Sequence, residues 1–243
     1  MHSGIQITAH IGGNTFTREE VLAWEARRAR KVLKKLGAVV PSSADVGGLR
    51  EAHTQRKLEL GHERIEQMLA RELRAAAWAG GLTARAARGR RRMCTIDLTG
   101  SGASVQGLPD WYRTAIAGSV EEALIGACPD HYISRTRTDG RQEIVETTGG
   151  SPLPVRMFFD DDDTSTIRSA PDASFPVEWI SVARDESGAA IGGVRHLFRD
   201  DDEGFHVRLT VEFPATTAPH MTRAHRWHLA CEFSNWIESA NRP

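Results

Sequence analysis

FHVRLTVEFPATTAPHMTRAHRWHLACEFSNWIESA, residues 205–240, changes its hydrophobic period halfway along. In residues 205–213, Phe205, Val207, Leu209, Val211 and Phe213 alternate with His206, Arg208, Thr210 and Glu212. A period of two belongs to a strand with one face on a core and the other in a polar environment. The proline-flanked PATTAP ends it. Beyond it Leu229, Phe233, Trp236 and Ile237 recur at helical spacing, which predicts a terminal amphipathic helix. Those four make its buried side, and the histidines fall on its polar side.

Upstream, the same reading gives a series of short strands. HYISRTR (131–137) and QEIVETT (142–148) flank Asp139-Gly140, a strong hairpin signal. VRMFF (155–159), VEWISVA (177–183) and AIGGVRHLF (190–198) follow, the last two joined by RDESGA. Gly149-Gly150-Ser151-Pro152 reads as a turn. CTIDLTG (94–100) opens this part as a strand, and Pro109 begins a helix with Ile116, Val120, Leu124 and Ala127 on one face. The class is therefore α+β: a helical N-terminal region, then a mostly antiparallel sheet of about six strands flanked by an N-side helix and a C-terminal helix. In element order alone this resembles helix-grip folds, where a curved sheet wraps a long C-terminal helix.

Residues 1–92 differ in period. GIQITAHI (4–11) reads as a short strand. Thr17 and Glu20 form a capping box for a helix whose stripe is Leu22, Ala26, Ala29, Leu33 and Leu36, stopped at Gly37. A second helix spans about Leu49 to Trp78, with Leu58, His62, Ile65, Leu69, Leu73 and Ala76 inward. Two units follow: a basic, mainly helical 1–92 and an acidic α+β 93–243, with the joint in the Gly- and Arg-rich 80–92. Charge agrees. The formal −1 of the 243 residues divides into 18 basic and 9 acidic side chains in 1–95, against 13 and 23 in 96–243. The halves either neutralise each other internally or meet a charged partner.

The three cysteines, Cys94, Cys128 and Cys231, are odd in number and widely spaced, so a reducing, cytoplasmic setting is expected. No apolar run approaches a membrane span and the N-terminus does not read as a signal peptide, so no membrane partner is expected.

Two acidic runs raise the question of metal. Asp160–Asp163 follows Phe158-Phe159, and Asp200-Asp201-Asp202-Glu203 follows His196-Leu197-Phe198-Arg199. Neither has the spacing that bends a loop around calcium, so both read as solvated turns. Asp160, Asp162, Asp200 and Asp202 are the weak metal candidates. His225, His228 and Cys231, spaced three apart on the last helix, could place ligands along one face, but no second ligand group is evident and the structural reading is preferred. TGSGASVQG lacks the G-x-G-x-x-G spacing of a phosphate loop, and no G-x-S-x-G elbow exists. No catalytic residue, metal or cofactor is assigned. The function expected is a non-catalytic interaction or assembly protein, such as a subunit of a virion or ring-shaped complex, self-associating or docking through Arg27, Arg28, Lys31, Lys34 and Lys35. Nucleic acid is the other partner that the basic run EARRARKVLKK allows, diluted by glutamates. The alternative is a small-molecule-binding or cyclase-like domain with an apolar pocket between sheet and C-terminal helix.

Overall fold

A computed structural model describes residues 4–118, 121–148 and 151–242. The elements in chain order are β1 (Gln6–Ile11), β2 (Asn14–Thr17), α1 (Arg18–Lys35), α2 (Val46–Ala87), β3 (Arg91–Ser101), α3 (Leu108–Ala117), α4 (Glu121–Gly126), β4 (His131–Thr136), β5 (Gln142–Glu146), β6 (Val155–Asp160), β7 (Val177–Arg184), β8 (Ala190–Asp201), β9 (Gly204–Pro214) and α5 (Pro219–Ala240). The α+β class stands. The nine strands form one antiparallel sheet in the order β2-β1-β3-β9-β8-β7-β6-β5-β4. The count exceeds the six expected because the N-terminal hairpin joins the sheet and seven strands follow residue 90. Val120 and the turn at 149–150 lie outside the described residues.

The boundary drawn at 92/93 falls inside β3, and the segment from Gly80 to Ala87 is the end of α2. Ile7, Ala9, Ile11 and Val21 share a core cluster with Cys94, Leu209, Phe233 and Trp236. Side chains from both sides of that boundary also pair, as in Arg18–Glu238, Arg28–Asp130 and Arg135–Glu66. Arg18 and Arg28 thus offset part of the charge asymmetry internally.

Local chemistry sets the elements. Thr17 and Glu20 make the capping box of α1. Its buried face is Val21, Glu25, Ala29, Val32, Leu33 and Leu36, rotated from the expected stripe because Glu25 is inside. There Glu25 takes two hydrogen bonds from Arg50, at 2.6 and 2.9 Å. In α2, Gly61 has φ 66° and ψ 166°, a break that re-phases the helix: Leu49, His53 and Lys57 are buried before it, Ile65, Leu69 and Ala76 after it. Leu58, expected inward, is exposed. Gly140 closes the β4–β5 hairpin at φ 82°.

The acidic runs end strands, as expected of turns. Asp160 and Asp163 pair with Arg184, and Asp163 caps Ser165 N. Asp200 accepts from Ser104 Oγ and from the Val105 amide, so the glycine-containing loop after β3 holds this carboxylate. Asp160 stands level with Val182, which faces Gly193, and Asp200 lies seven residues further along β8. At ~3.3 Å per residue the runs are about 23 Å apart along the strands. Asp160 and Asp162 therefore do not meet Asp200 and Asp202 in one cage.

α5 packs on β3 and β1 at one end of the strand order, yet its side chains also touch β4 and β5 at the other. β3 and β5 are five strand spacings apart, about 24 Å if flat. A helix is only about 10–12 Å across. The sheet must therefore curl around α5.

Lys57 is wholly buried, and its ammonium donates to the carbonyls of Ile125 and Pro129 at 3.0 and 3.1 Å. Burial drags its pKa down to about 7. Below pH 7 the folded and unfolded chains both hold the proton, and the fold carries the full cost of a buried cation. Between pH 7 and lysine's ordinary range the unfolded chain binds more protons, so this group's contribution rises with pH. Urea denaturation at pH 7 and 9.5 should therefore show the native chain gaining stability relative to Lys57→Met, by at most about 1.4 kcal/mol per pH unit. An unchanged difference would place the proton elsewhere.

Candidate functional site

Against expectation, α5 is not amphipathic. His228, Leu229, Ala230, Cys231, Glu232, Phe233, Ser234, Asn235, Trp236 and Ile237 are all buried. The sheet covers one side and α1 and α3 the other. Its polar side must therefore find partners inside the protein.

Those partners come from the edge of the sheet. His131 opens β4 and stands directly across from Glu146 on β5. His228 and Glu232, four residues apart on α5, face this pair. Nε2 of His131 lies 3.1 Å from Nε2 of His228, 3.4 Å from Glu146 Oε2 and 3.4 Å from Glu232 Oε1. Nε2 of His228 lies 3.5 Å from Glu146 Oε2 and 3.7 Å from Glu232 Oε2. The far nitrogens are held too. Nδ1–H of His131 donates to the Leu124 carbonyl at 3.1 Å, which puts the lone pair of the neutral ring on Nε2. Nδ1 of His228 is 3.6 Å from Cys128 Sγ and 3.9 Å from Asp130 Oδ2. Asp130 is itself gripped by the Arg28 guanidinium.

Charge follows geometry. Burial opposes the His228 imidazolium, but Glu146, Asp130 and Glu232 outweigh it and hold its pKa up at about 9. Burial would raise Glu146, yet the facing histidines bring it down to about 2. Glu232 is pushed up by burial. His225, stacked on His228 with ring centroids 4.8 Å apart, is pulled to about 3 by burial and by that neighbour.

Beside this cluster a cavity of about 420 Å³ lies between sheet and α5. Glu146, His228 and Glu232 border its polar end, and Ile144, Met157, Phe159, Trp179, Phe233 and Trp236 are among its apolar walls. Tyr112, Trp179 and Trp236 pack together there, with ring centroids 4.5 and 4.9 Å apart around Tyr112. α2 contributes only small side chains, Ala76, Ala79, Gly80 and Thr83.

Of the residues singled out from the sequence, His228 belongs to the cluster. His225 stacks behind it, while Cys231 turns to the Ala127 carbonyl and to Asn235. His131 and Glu146 were missed. Both sit in segments that read as ordinary strands, and their pairing across a hairpin leaves no spacing signal. Among the basic residues of α1, Arg28 is spent on Asp130 and Lys35 on Glu72. Arg27, Lys31 and Lys34 make no ion pair among the described residues. Among the described residues no helix is long and apolar enough to cross a membrane.

Comparison with protein-family models, with curated proteins and with solved structures finds no match to this chain.

Removing one partner of a buried ion pair strands the other. Arg28→Met should cost about 3–5 kcal/mol in chemical denaturation because Asp130 is fully buried. Lys31→Met and Lys34→Met should stay within about 0.5 kcal/mol, as exposed changes do. Equal effects of the three would contradict the role given to Arg28.

Proposed function

We propose that this protein binds a small, largely apolar molecule carrying one polar group, in the cavity between the curled sheet and α5. The observation that carries this reading is the cavity itself. Protein interiors are normally packed without voids larger than a water. Here a half-open pocket of some 420 Å³ runs inward beside an aromatic wall, with ionisable groups gathered at its inner end. That size and that mixture, apolar walls with a few convergent polar groups, are those of small-molecule sites. The small residues of α2 support the reading. A large side chain at Ala79 or Thr83 would intrude into the space, and none is present.

An environment-sensitive naphthalene dye such as anilinonaphthalene sulfonate tests it. The native chain should take up one equivalent with enhanced fluorescence. Ala79→Trp sits on an exposed helical position that lines the cavity, so it should leave the melting temperature unchanged. It should weaken the dye at least tenfold, about 1.4 kcal/mol. Dye affinity unaffected by this plug, or no uptake at all, would remove the cavity as the binding site.

A second reading, docking on a protein partner or another copy of the chain, is favoured by Trp78. It is 72% exposed on α2, one turn from Leu82 at 45%. Light scattering at low and high salt, on the native chain and Trp78→Ser, tests it. A monomer throughout, with no partner recovered, would leave the cavity reading alone.

A further inference from the structure

We propose that His131, His228, Glu146 and Glu232 bind one divalent transition-metal ion, zinc in the first instance, at the polar end of the cavity. The inference rests on the side-chain geometry and stands whether or not the cavity takes an apolar ligand.

The first support is shape. Zinc holds imidazole nitrogen at about 2.0–2.1 Å and carboxylate oxygen at about 2.0–2.2 Å, so neighbouring ligand atoms around a tetrahedral ion lie roughly 3.3–3.6 Å apart. The five separations among the histidine nitrogens and the carboxylate oxygens run from 3.1 to 3.7 Å and straddle that value. Glu232 turns one oxygen toward each histidine, so it can bind through either or both.

The second support is the proton arrangement. Metal-binding histidines offer one nitrogen to the ion and donate the other N–H to a carbonyl or carboxylate. His131 does this toward the Leu124 carbonyl, and His228 faces Cys128 and Asp130 with its Nδ1. In both rings it is Nε2 that points into the cluster.

The third support is charge. Two carboxylates are buried here, at 7% and 9% exposure, and they need compensation. Two imidazolium ions would balance them, but their Nε2–H bonds would then meet head-on at 3.1 Å. One imidazolium allows a hydrogen bond between the rings and leaves a negative charge over unless one of the two carboxyls holds a proton. A divalent cation between two neutral rings and two carboxylates is electroneutral and removes the conflict. Two histidines with two oxygens suit zinc and iron better than calcium or magnesium, which prefer all-oxygen sets. Glu146, His228 and Glu232 border the cavity, so an open position on the ion would face it.

The overlapping triads Cys128–His131–His228 and Glu146–His225–His228 also bring one atom per residue within 4.8 Å. They share His228 and make different ligand predictions, which variants can separate. The untagged chain, purified without chelator, should carry close to one zinc or iron per chain by plasma mass spectrometry. Metal-free chain should show a higher melting temperature with Zn²⁺, and Co²⁺ should give the visible bands of a four- or five-coordinate ion without a thiolate charge-transfer band. His131→Ala and the isosteric Glu232→Gln should each weaken Zn²⁺ at least tenfold, the second being the guide if the first does not fold. His225→Phe and Cys128→Ser should retain it. A chain that arrives without metal and shows no thermal response to Zn²⁺ would overturn the inference. So would a strong thiolate band with Co²⁺, or loss of metal in His225→Phe. A metal-loaded chain that ignores the dye would remove only the ligand reading, and a dye-binding chain indifferent to Zn²⁺ would remove only the metal.

Discussion

A helix buried on every side must satisfy each polar group it carries from within the protein, and α5 carries many. Thr222, His225, His228, Glu232, Ser234 and Asn235 are all buried along it. An apolar helix in this position would ask only for volume. This one asks for partners, because a buried polar group left alone costs about 1–3 kcal/mol, and more if charged. The arrangement of the surrounding elements answers most of that demand, although Ser234 Oγ and His225 Nδ1 find no hydrogen-bond partner among the described residues. Asn235 donates to Glu25 at 3.1 Å and to the Ala127 carbonyl at 2.7 Å, while its carbonyl oxygen receives Arg50 and Arg18. Glu25 and Arg50 thereby fix α1 and α2 against α5. One turn earlier on the helix, Glu232 and His228 reach the β4–β5 hairpin, and Arg28 anchors Asp130 beneath it.

The same demand explains the curl of the sheet. A flat antiparallel sheet would hold β5 far from α5, and the carboxylate of Glu146 could not approach His228. Curling brings the edge hairpin over the helix and closes one end of the space between them. The apolar residues of β9 and α5 pack tightly at β3, where Leu209, Cys94 and Phe233 share a core. Towards β5 and β6 the packing opens into the cavity, since α2 covers that side with small residues. The core and the candidate site thus share one stretch of one helix, from His228 to Ile237.

Much of this architecture was legible in the sequence. The alternation from Phe205 to Phe213 defined β9, Thr17 and Glu20 marked the start of α1, and Asp139-Gly140 closed a hairpin where expected. Those signals are local, and local propensity acts over a few residues. What was illegible depends on distant contacts. The β1–β2 hairpin reaches the sheet through pairing with β3, about 90 residues on, and no periodicity encodes that register. Gly61 breaks α2 by a backbone choice that the flanking stripe does not reveal. α5 was read as amphipathic with its histidines on a polar side, whereas the burial of His225, His228 and Glu232 follows from elements elsewhere in the chain. For the same reason His131 and Glu146 carried no signal. Their role arises only when the curled sheet sets them against α5.

The central claim is that an apolar space persists between the sheet and α5, ended by the His131–His228–Glu146–Glu232 cluster. Xenon enters dry apolar cavities, as benzene does in engineered ones of about 150 Å³. A crystal structure under xenon pressure reads this space most directly. The account predicts xenon sites bounded by Met157, Trp179, Phe233 and Trp236, with the cluster undisturbed beside them. Side chains packed into that volume, with no xenon bound there, would contradict it.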